Sequence, residues 1–365
     1  MATVEVRIDR GKPLRDDPAT GHNRWHPDIP AVARIRPGDE LILETRDALD
    51  GQIGPEATIE TVAAMDSNVV HPMTGPIHVE GARPGDLLEV EIVDIEADDF
   101  GYTTQSTAFG FLRDFFPDPY LVRWRLDADG AVSEDMPGVR IPAAPFMGVI
   151  GVAPDRRLME VATAREQAAI ARGEFLFPPT EPAGAVPAGP HGGAGLRTGP
   201  PREQGGNLDI KQTVKGTRMF FPVFADGALF SAGDAHFAQG DGEVCGQAIE
   251  MCATLTARFT VHEGRAAAEG ITQTRFICEQ PATAARRFFV TTGLSLDDDG
   301  ANYSENATLA ARRALLDMID YLGSRGLDRQ AAYALCSVAV DLRISELVDI
   351  PNVVVSAFLP LDIFT

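Results

Sequence analysis

Two short stretches of this chain carry the same local signal. Arg36-Pro37-Gly38-Asp39 runs into Glu40-Leu41-Ile42-Leu43-Glu44, and Arg83-Pro84-Gly85-Asp86 runs into Leu87-Leu88-Glu89-Val90-Glu91-Ile92. Proline then glycine at the two central positions of a turn favours type II, because proline presets φ and glycine accepts a positive φ. The alternation that follows puts Leu88, Val90 and Ile92 on one face of a strand and Glu89 and Glu91 on the other. Two equivalent turns, each launching a half-buried strand, suit a β-sandwich or barrel. Their acidic residues read as structural rather than catalytic.

The rest of the chain extends this picture. At 365 residues it exceeds the roughly 250–300 residues at which single cores stop growing. The expected fold class is α+β and predominantly β. A sandwich- or barrel-like body spans residues 1–265, with a helical and Pro/Gly-rich insertion at about 154–204, and a smaller C-terminal α+β part spans 266–365. A helix is predicted from Arg156 to Arg172, capped by Asp155, ended by Gly173 and buried through Leu158, Val161 and Ala162. Residues 178–204 are read as a surface lid or subunit contact, since proline and glycine leave little regular structure there. Strands are predicted over Met219–Phe230, Val244–Thr260 and Val353–Leu359. Helical spacing of Leu315, Met318, Ile319 and Leu322 stops at Gly323, and a further helix follows Asp328, over Arg329–Val340.

Composition excludes several classes of function. A formal charge of −21 opposes binding to nucleic acid, which needs lysine and arginine against phosphate. It equally opposes anionic membranes and weighs against a strongly anionic substrate. Met1–Arg10 alternates like a strand rather than a signal peptide, and no apolar run nears the ~18 residues of a membrane span. The four cysteines lack CxxC spacing, as expected of reduced thiols in a cytoplasmic protein.

Polar chemistry concentrates between Gly205 and Glu250: Gly205-Gly206-Asn207-Leu208-Asp209, Gly233-Asp234-Ala235-His236, Gln239-Gly240-Asp241-Gly242-Glu243 and Glu250. Two residues apart on an extended backbone, Asp234 and His236 point to one side. They form a half-site for a divalent metal that Asp209 or Glu250 could complete. The plainer alternative makes Gly240-Asp241-Gly242 a hairpin turn and His236 a hydrogen-bonded surface residue. Cys245 is a candidate nucleophile, but its acidic surroundings would raise its pKa and suit an inert buried thiol. His22 and His26 lie in a proline-containing loop, and His71 and His78 bracket a turn that could offer oxyanion donors.

These segments resemble the acetamidase/formamidase family. The resemblance is carried by His71-Pro72-Met73-Thr74-Gly75-Pro76-Ile77-His78-Val79-Glu80-Gly81 with Pro84-Gly85-Asp86, by Gly205–Asp209, by Phe230–His236, and by Gln239–Gly246 ending at Glu250. His22–Pro30 and the insertion look like the formamidase branch. Asp341-Leu342-Arg343-Ile344-Ser345 looks like the acetamidase branch. Formamidase-branch members carry a histidine before Gly-Gly-Asn, where this chain has Gln204, so no catalytic role is assigned there. The resemblance implies hydrolysis of a small linear aliphatic amide to a carboxylate and ammonia by a β-rich homo-oligomer.

From residue chemistry, the expected cofactor is a divalent metal, zinc, on Asp209, Asp234 and His236. Glu243, Glu250 and His236 are the candidate catalytic groups, and Asn207, Thr74 and Gly75 the substrate-binding ones. The rival readings are a metal-free amidase using Cys245 and a non-catalytic oligomeric binding protein of the same fold.

Overall fold

Both Pro-Gly turns form, with Gly38 and Gly85 at φ of +87° and +93°. The Asp39 and Asp86 amides donate to the Arg36 and Arg83 carbonyls at 3.0 Å. The acidic residues are structural: Asp39 accepts from Ala2 N, and Asp86 accepts from Arg83 N and Gly264 N. The computed structural model describes residues 2–174, 176, 182–279, 287–348 and 350–364. Its principal body strands are β1 (Glu40–Thr45), β2 (Met73–Val79), β3 (Leu87–Gln105), β4 (Tyr120–Asp127), β5 (Phe146–Gly151), β6 (Gly205–Asn207), β7 (Arg218–Pro222), β8 (Phe230–His236) and β9 (Glu250–His262). They belong to one branched, largely antiparallel fifteen-stranded sheet.

The two turns feed strands onto opposite edges of β9. Residues Ala253–Arg258 of β9 pair with β1, and Ala257–His262 pair with the start of β3. The inward faces predicted from alternation meet there: Leu41, Leu43, Leu88, Val90, Ile92, Leu255 and Phe259 are all buried. At Cys252 one edge of β9 passes from β8 to β1, so its first residues, Glu250 and Met251, lie against His236 and Ala235. That handover puts the beginning of β9 beside the end of β8.

The C-terminal part is a three-stranded antiparallel sheet, β10 (Phe288–Leu294), β12 (Val354–Pro360) and β11 (Asp341–Glu346), in that spatial order. It is joined by helices of the predicted periodicity. Four of the helices, taken in chain order, are α1 (Ile59–Ala63), α2 (Arg156–Ala171), α3 (Ala307–Ser324) and α4 (Arg329–Ala339). In α3, Leu315, Met318, Ile319 and Leu322 are fully buried. Asp155 and Asp328 cap α2 and α4 through side-chain acceptors. Helix α4 braces the loop between β8 and β9. Ser337 Oγ accepts from Cys245 N and donates to Gln247 O, and Ser337 O accepts from Gly240 N. Among the described residues no helix is long and apolar enough to cross a membrane.

Five expectations need correction. The strand predicted over Val244–Thr260 starts only at Glu250, because residues before it hydrogen-bond to α4 instead of to a sheet. Met219–Phe230 splits into β7 and β8, separated by Gly227, Ala228 and Leu229 at positive φ. In α2 the buried residues are Leu158, Met159 and Ala162, while Val161 is exposed, and Gly323 lies inside α3 rather than ending it. The expectation that proline and glycine leave residues 178–204 without packed structure also fails where the structure describes the segment; residues 177–181 lie outside the described residues. Ala185, Val186, Leu196, Thr198 and Gln204 are buried, and Leu196–Arg197 pairs with Arg24–Trp25.

The turn argument has a direct test. A Cβ on Gly38 would meet nothing within 4 Å, so Gly38→Ala isolates backbone strain. It should cost about 1 kcal/mol in urea unfolding, with an unchanged m-value.

Candidate functional site

The polar cluster gathers where β5, β8 and β9 meet. Antiparallel pairing sets His236 against Glu250 across β8 and β9, and Met147 and Val149 of β5 against Ala235 and Gly233 on the other edge of β8. Asp209 follows β6, whose pairing with β5 carries it to Gly148: both Leu208 N and Asp209 N donate to Gly148 O. A Cβ on Gly148 would lie 2.7 Å from Asp209 Oδ1 and 2.8 Å from both Asp234 Oδ2 and His236 Cε1. The acids and the imidazole therefore close over a backbone position that only glycine can occupy. Asp209, Asp234 and Glu243 all adopt left-handed φ, +47°, +54° and +43°. Non-glycine residues there store strain that the surrounding structure must hold.

Hydrogen bonds determine which face of the imidazole is available. Gln239 Nε2 donates to Asp209 O at 2.8 Å, which turns Gln239 Oε1 toward His236 Nδ1 at 3.0 Å. Nδ1 thus carries a proton, and Nε2 is the ring atom turned toward the acids. It faces Glu250 Oε2 at 3.2 Å and Asp234 Oδ1 at 3.3 Å. Neither contact has hydrogen-bond geometry, and His236 Nε2 and Glu250 Oε2 are buried without a hydrogen-bond partner. Phe146 packs edge-on against the His236 ring.

Three acceptor atoms converging in a buried space need a proton or a cation between them. Nitrogen and oxygen ligands about 2.0–2.2 Å from a tetrahedral zinc lie roughly 3.4 Å apart, close to the 3.2 and 3.3 Å separations observed. Asp234, His236 and Glu250 therefore fit a divalent ion. Asp209, His236 and Glu243 form a second convergence on the Nδ1 side, but Gln239 already occupies that nitrogen. The expected trio of Asp209, Asp234 and His236 does not gather on one ring nitrogen: Asp209 lies 4.0 Å from Nδ1, whereas Asp234 and Glu250 face Nε2.

Burial and neighbours divide the carboxyls. Burial alone would raise Asp234, but His71 and His236 beside it hold it well below the usual range. Burial pushes Glu250 up to about 8 and Asp209 up to about 6. Burial and the neighbouring Asp209 raise Glu243 well above the ordinary carboxyl. Burial opposes protonation of His236, but Glu250 and Asp234 outweigh it and raise the imidazole. Burial lowers His71, whose Nε2 stands 4.0 Å from Asp234 Oδ2.

The cluster opens into a cavity of about 510 Å³, lined at its polar end by His71, Asn207, Asp209, Asp234, Glu243 and Glu250. Comparison with known proteins gives this geometry a context. The model of the acetamidase/formamidase family matches residues 7–365. The chain belongs to that family. It is 37% identical to an acetamidase of Mycolicibacterium smegmatis, over 92% of this chain and 89% of the relative. It is 34% identical to a formamidase of Methylophilus methylotrophus, over 100% and 94%. Among solved structures, a gamma lactamase from Delftia acidovorans superposes with a TM-score of 0.93 at 35% identity, covering 99% of this chain and 93% of that one. Membership makes the chain an amidohydrolase.

Within this acetamidase/formamidase site, the structure sorts the predicted residues. His236, Asp234, Asp209, Glu243, Glu250 and Asn207 come together, and His236 is fully buried rather than on the surface. Asn207 Oδ1 is buried without a hydrogen-bond partner. Thr74 and Gly75 do not line the cavity, which corrects their assignment to substrate. The Thr74 hydroxyl donates to Glu44 O and Gly75 N donates to Thr20 O, because the expected turn is strand β2. His22 is spent on Arg24 O and Ser231 Oγ. Three residues had no assigned role: Gly148, His71 and Gln239. Of these, Gln239 carried a readable signal, three residues after His236 in the same polar cluster.

Cys245 lines the cavity, but burial pushes its thiol up to about 12, so little thiolate exists near neutral pH. Cys245→Ala should keep kcat/KM within about three-fold, and iodoacetamide at pH 8 should leave this thiol unmodified. Gly148→Ala should leave the protein folded by circular dichroism while cutting kcat/KM by about 100-fold, the scale expected for a misplacement of roughly 1 Å.

Proposed function

We propose that this chain hydrolyses a linear primary amide to a carboxylate and ammonia, with a zinc ion held by Asp234, His236 and Glu250. The observation that carries the reading is His236 Nε2, buried between carboxyl oxygens of Asp234 and Glu250, two residues that line the cavity. When bound, such an ion polarises the amide carbonyl and lowers the pKa of a water toward about 7.

The chain's own groups supply the remainder. Asn207 Oδ1 and Asp209 accept hydrogen bonds from the amide NH₂, which orients the carbonyl toward His236. Glu243, half-buried at the cavity wall, takes a proton from water as its oxygen bonds to the carbonyl carbon. It returns that proton to nitrogen as the C–N bond breaks, so that ammonia leaves rather than an amide anion. A carboxyl raised by burial and by Asp209 suits both halves of this transfer better than an ordinary one. Glu250 was an alternative base; its Oε1 accepts from Ala248 N and its Oε2 faces His236 Nε2, which suits it to holding the ion. His71, lowered by burial, steadies Asp234 from the side away from His236.

His236→Ala should abolish bound metal by elemental analysis and reduce ammonia release by at least about 1,000-fold, with circular dichroism unchanged. Glu243→Gln should retain the metal and lower kcat by about 100- to 10,000-fold. Full turnover by His236→Ala would overturn the reading.

A further inference from the structure

We infer that the physiological substrate is a primary amide with an apolar acyl group of four or more carbons, larger than formamide or acetamide. This rests on the amide-hydrolysis reading above and extends it to substrate size. A cavity of about 510 Å³ lies within the roughly 300–1,000 Å³ that holds ligands far larger than acetamide. Its lining is divided. Among the described residues, every ionisable acid and histidine on it belongs to the cluster around His236. The rest of the lining carries Leu49, Val62, Met65, Val70, Phe109 and Phe111. Neutral hydroxyls of Ser67, Ser106 and Thr107 complete it, so no cation awaits an anionic tail.

The polar end decides which way the amide enters. Carboxylates and Asn207 Oδ1 are hydrogen-bond acceptors, and an NH₂ group is a double donor. A substituent on nitrogen would have to sit among these acids, at the cost of burying them unpaired. The nitrogen is therefore unsubstituted, and bulk is carried by the acyl group, which points to the apolar wall.

The wall is built rather than collapsible. Leu49 sits on a loop tied by buried Asp47, which accepts from Leu49 N and Gly51 N at 2.9 Å and from Tyr102 OH at 2.5 Å. Leu49, Val62 and Val70 belong to one buried apolar cluster with Ile53 and Tyr102. Acetamide offers this surface a single methyl, and each further methylene that leaves water for such a wall contributes about 0.8 kcal/mol, or roughly four-fold.

The test is ammonia release by the purified protein from acetamide, propionamide, butyramide, hexanamide and benzamide, with N-methylhexanamide assayed by methylamine release. The expected result is a rise in kcat/KM of roughly four-fold per methylene from acetamide to hexanamide, with N-methylhexanamide at least about 100-fold poorer than hexanamide. A flat or falling series from acetamide upward overturns the inference while leaving amide hydrolysis intact. No release from any amide overturns both. Ala63→Trp supplies the second reading: Ala63 lines the cavity but is exposed, so a larger side chain there does not overpack the core. It should lower the hexanamide-to-acetamide ratio of kcat/KM by at least about ten-fold. An unchanged ratio would show that size preference lies elsewhere and would also overturn the inference.

Discussion

The rest of this structure depends on one buried arrangement: His236 Nε2 held between the carboxyl groups of Asp234 and Glu250. Burying even one such charge without a partner is costly. Here Asp209 and Glu243 stand beside them, and three of the four acids sit at backbone angles that L-residues avoid. A cluster this unfavourable survives only if the scaffold leaves it no way to relax. Strand pairing holds His236 against Glu250, Gln239 holds the imidazole proton, and Gly148 removes the side chain that would otherwise occupy the centre. Strain and charge of this kind are what a site tuned for proton transfer and cation binding requires.

The scaffold meets that demand through β9. Glu250 is its first residue, and Ala253–Arg258 are clamped on both edges, by β1 and by β3, the strands that leave the two Pro-Gly turns. A one-residue slip of β9 would turn Glu250 out of the cluster and its apolar residues out of the core together. The same hydrophobic alternation that stabilises the body therefore aims Glu250 at His236. This ties the repeated turns, distant from the site in sequence, to the chemistry. It also explains how α4 matters: its Ser337 fixes the loop that carries Glu243 from β8 round to β9.

Local rules made much of this legible. Type II turns, the alternation over Leu88–Ile92, the Asp155 and Asp328 caps and the period of Leu315–Leu322 each depend on neighbours in sequence, and each formed. The convergence of Asp209, Asp234, His236, Glu243 and Glu250 was legible as a polar cluster because these groups lie within some forty residues of one another. What the sequence could not express was which nitrogen of His236 is free. That depends on the Gln239 amide, whose orientation is decided by a bond to the Asp209 backbone. The proposed choice of Glu250 over Asp209 as an ion ligand rests on which ring nitrogen each acid faces. Thr74 and Gly75 were misassigned for a related reason: a Met-Thr-Gly-Pro run reads as a turn, yet pairing with β8 draws it into a strand and consumes its donors.

The Pro/Gly-rich insertion shows where composition misleads. Glycine signals looseness when nothing approaches it and closeness when something does. Here a Cβ on Gly184 would lie 2.6 Å from Asn68 Cβ, and one on Gly195 would lie 2.7 Å from Arg24 Cβ. These glycines let the insertion press against the body, and its side chains then lock it there. Asn23 bonds Val186 N and Gly184 O, and the Thr198 hydroxyl accepts from His71 N at 2.5 Å. His71 in turn faces Asp234. The segment that reads as a surface lid or subunit contact thus buttresses the site, since Thr198 holds the backbone of the residue whose ring faces Asp234.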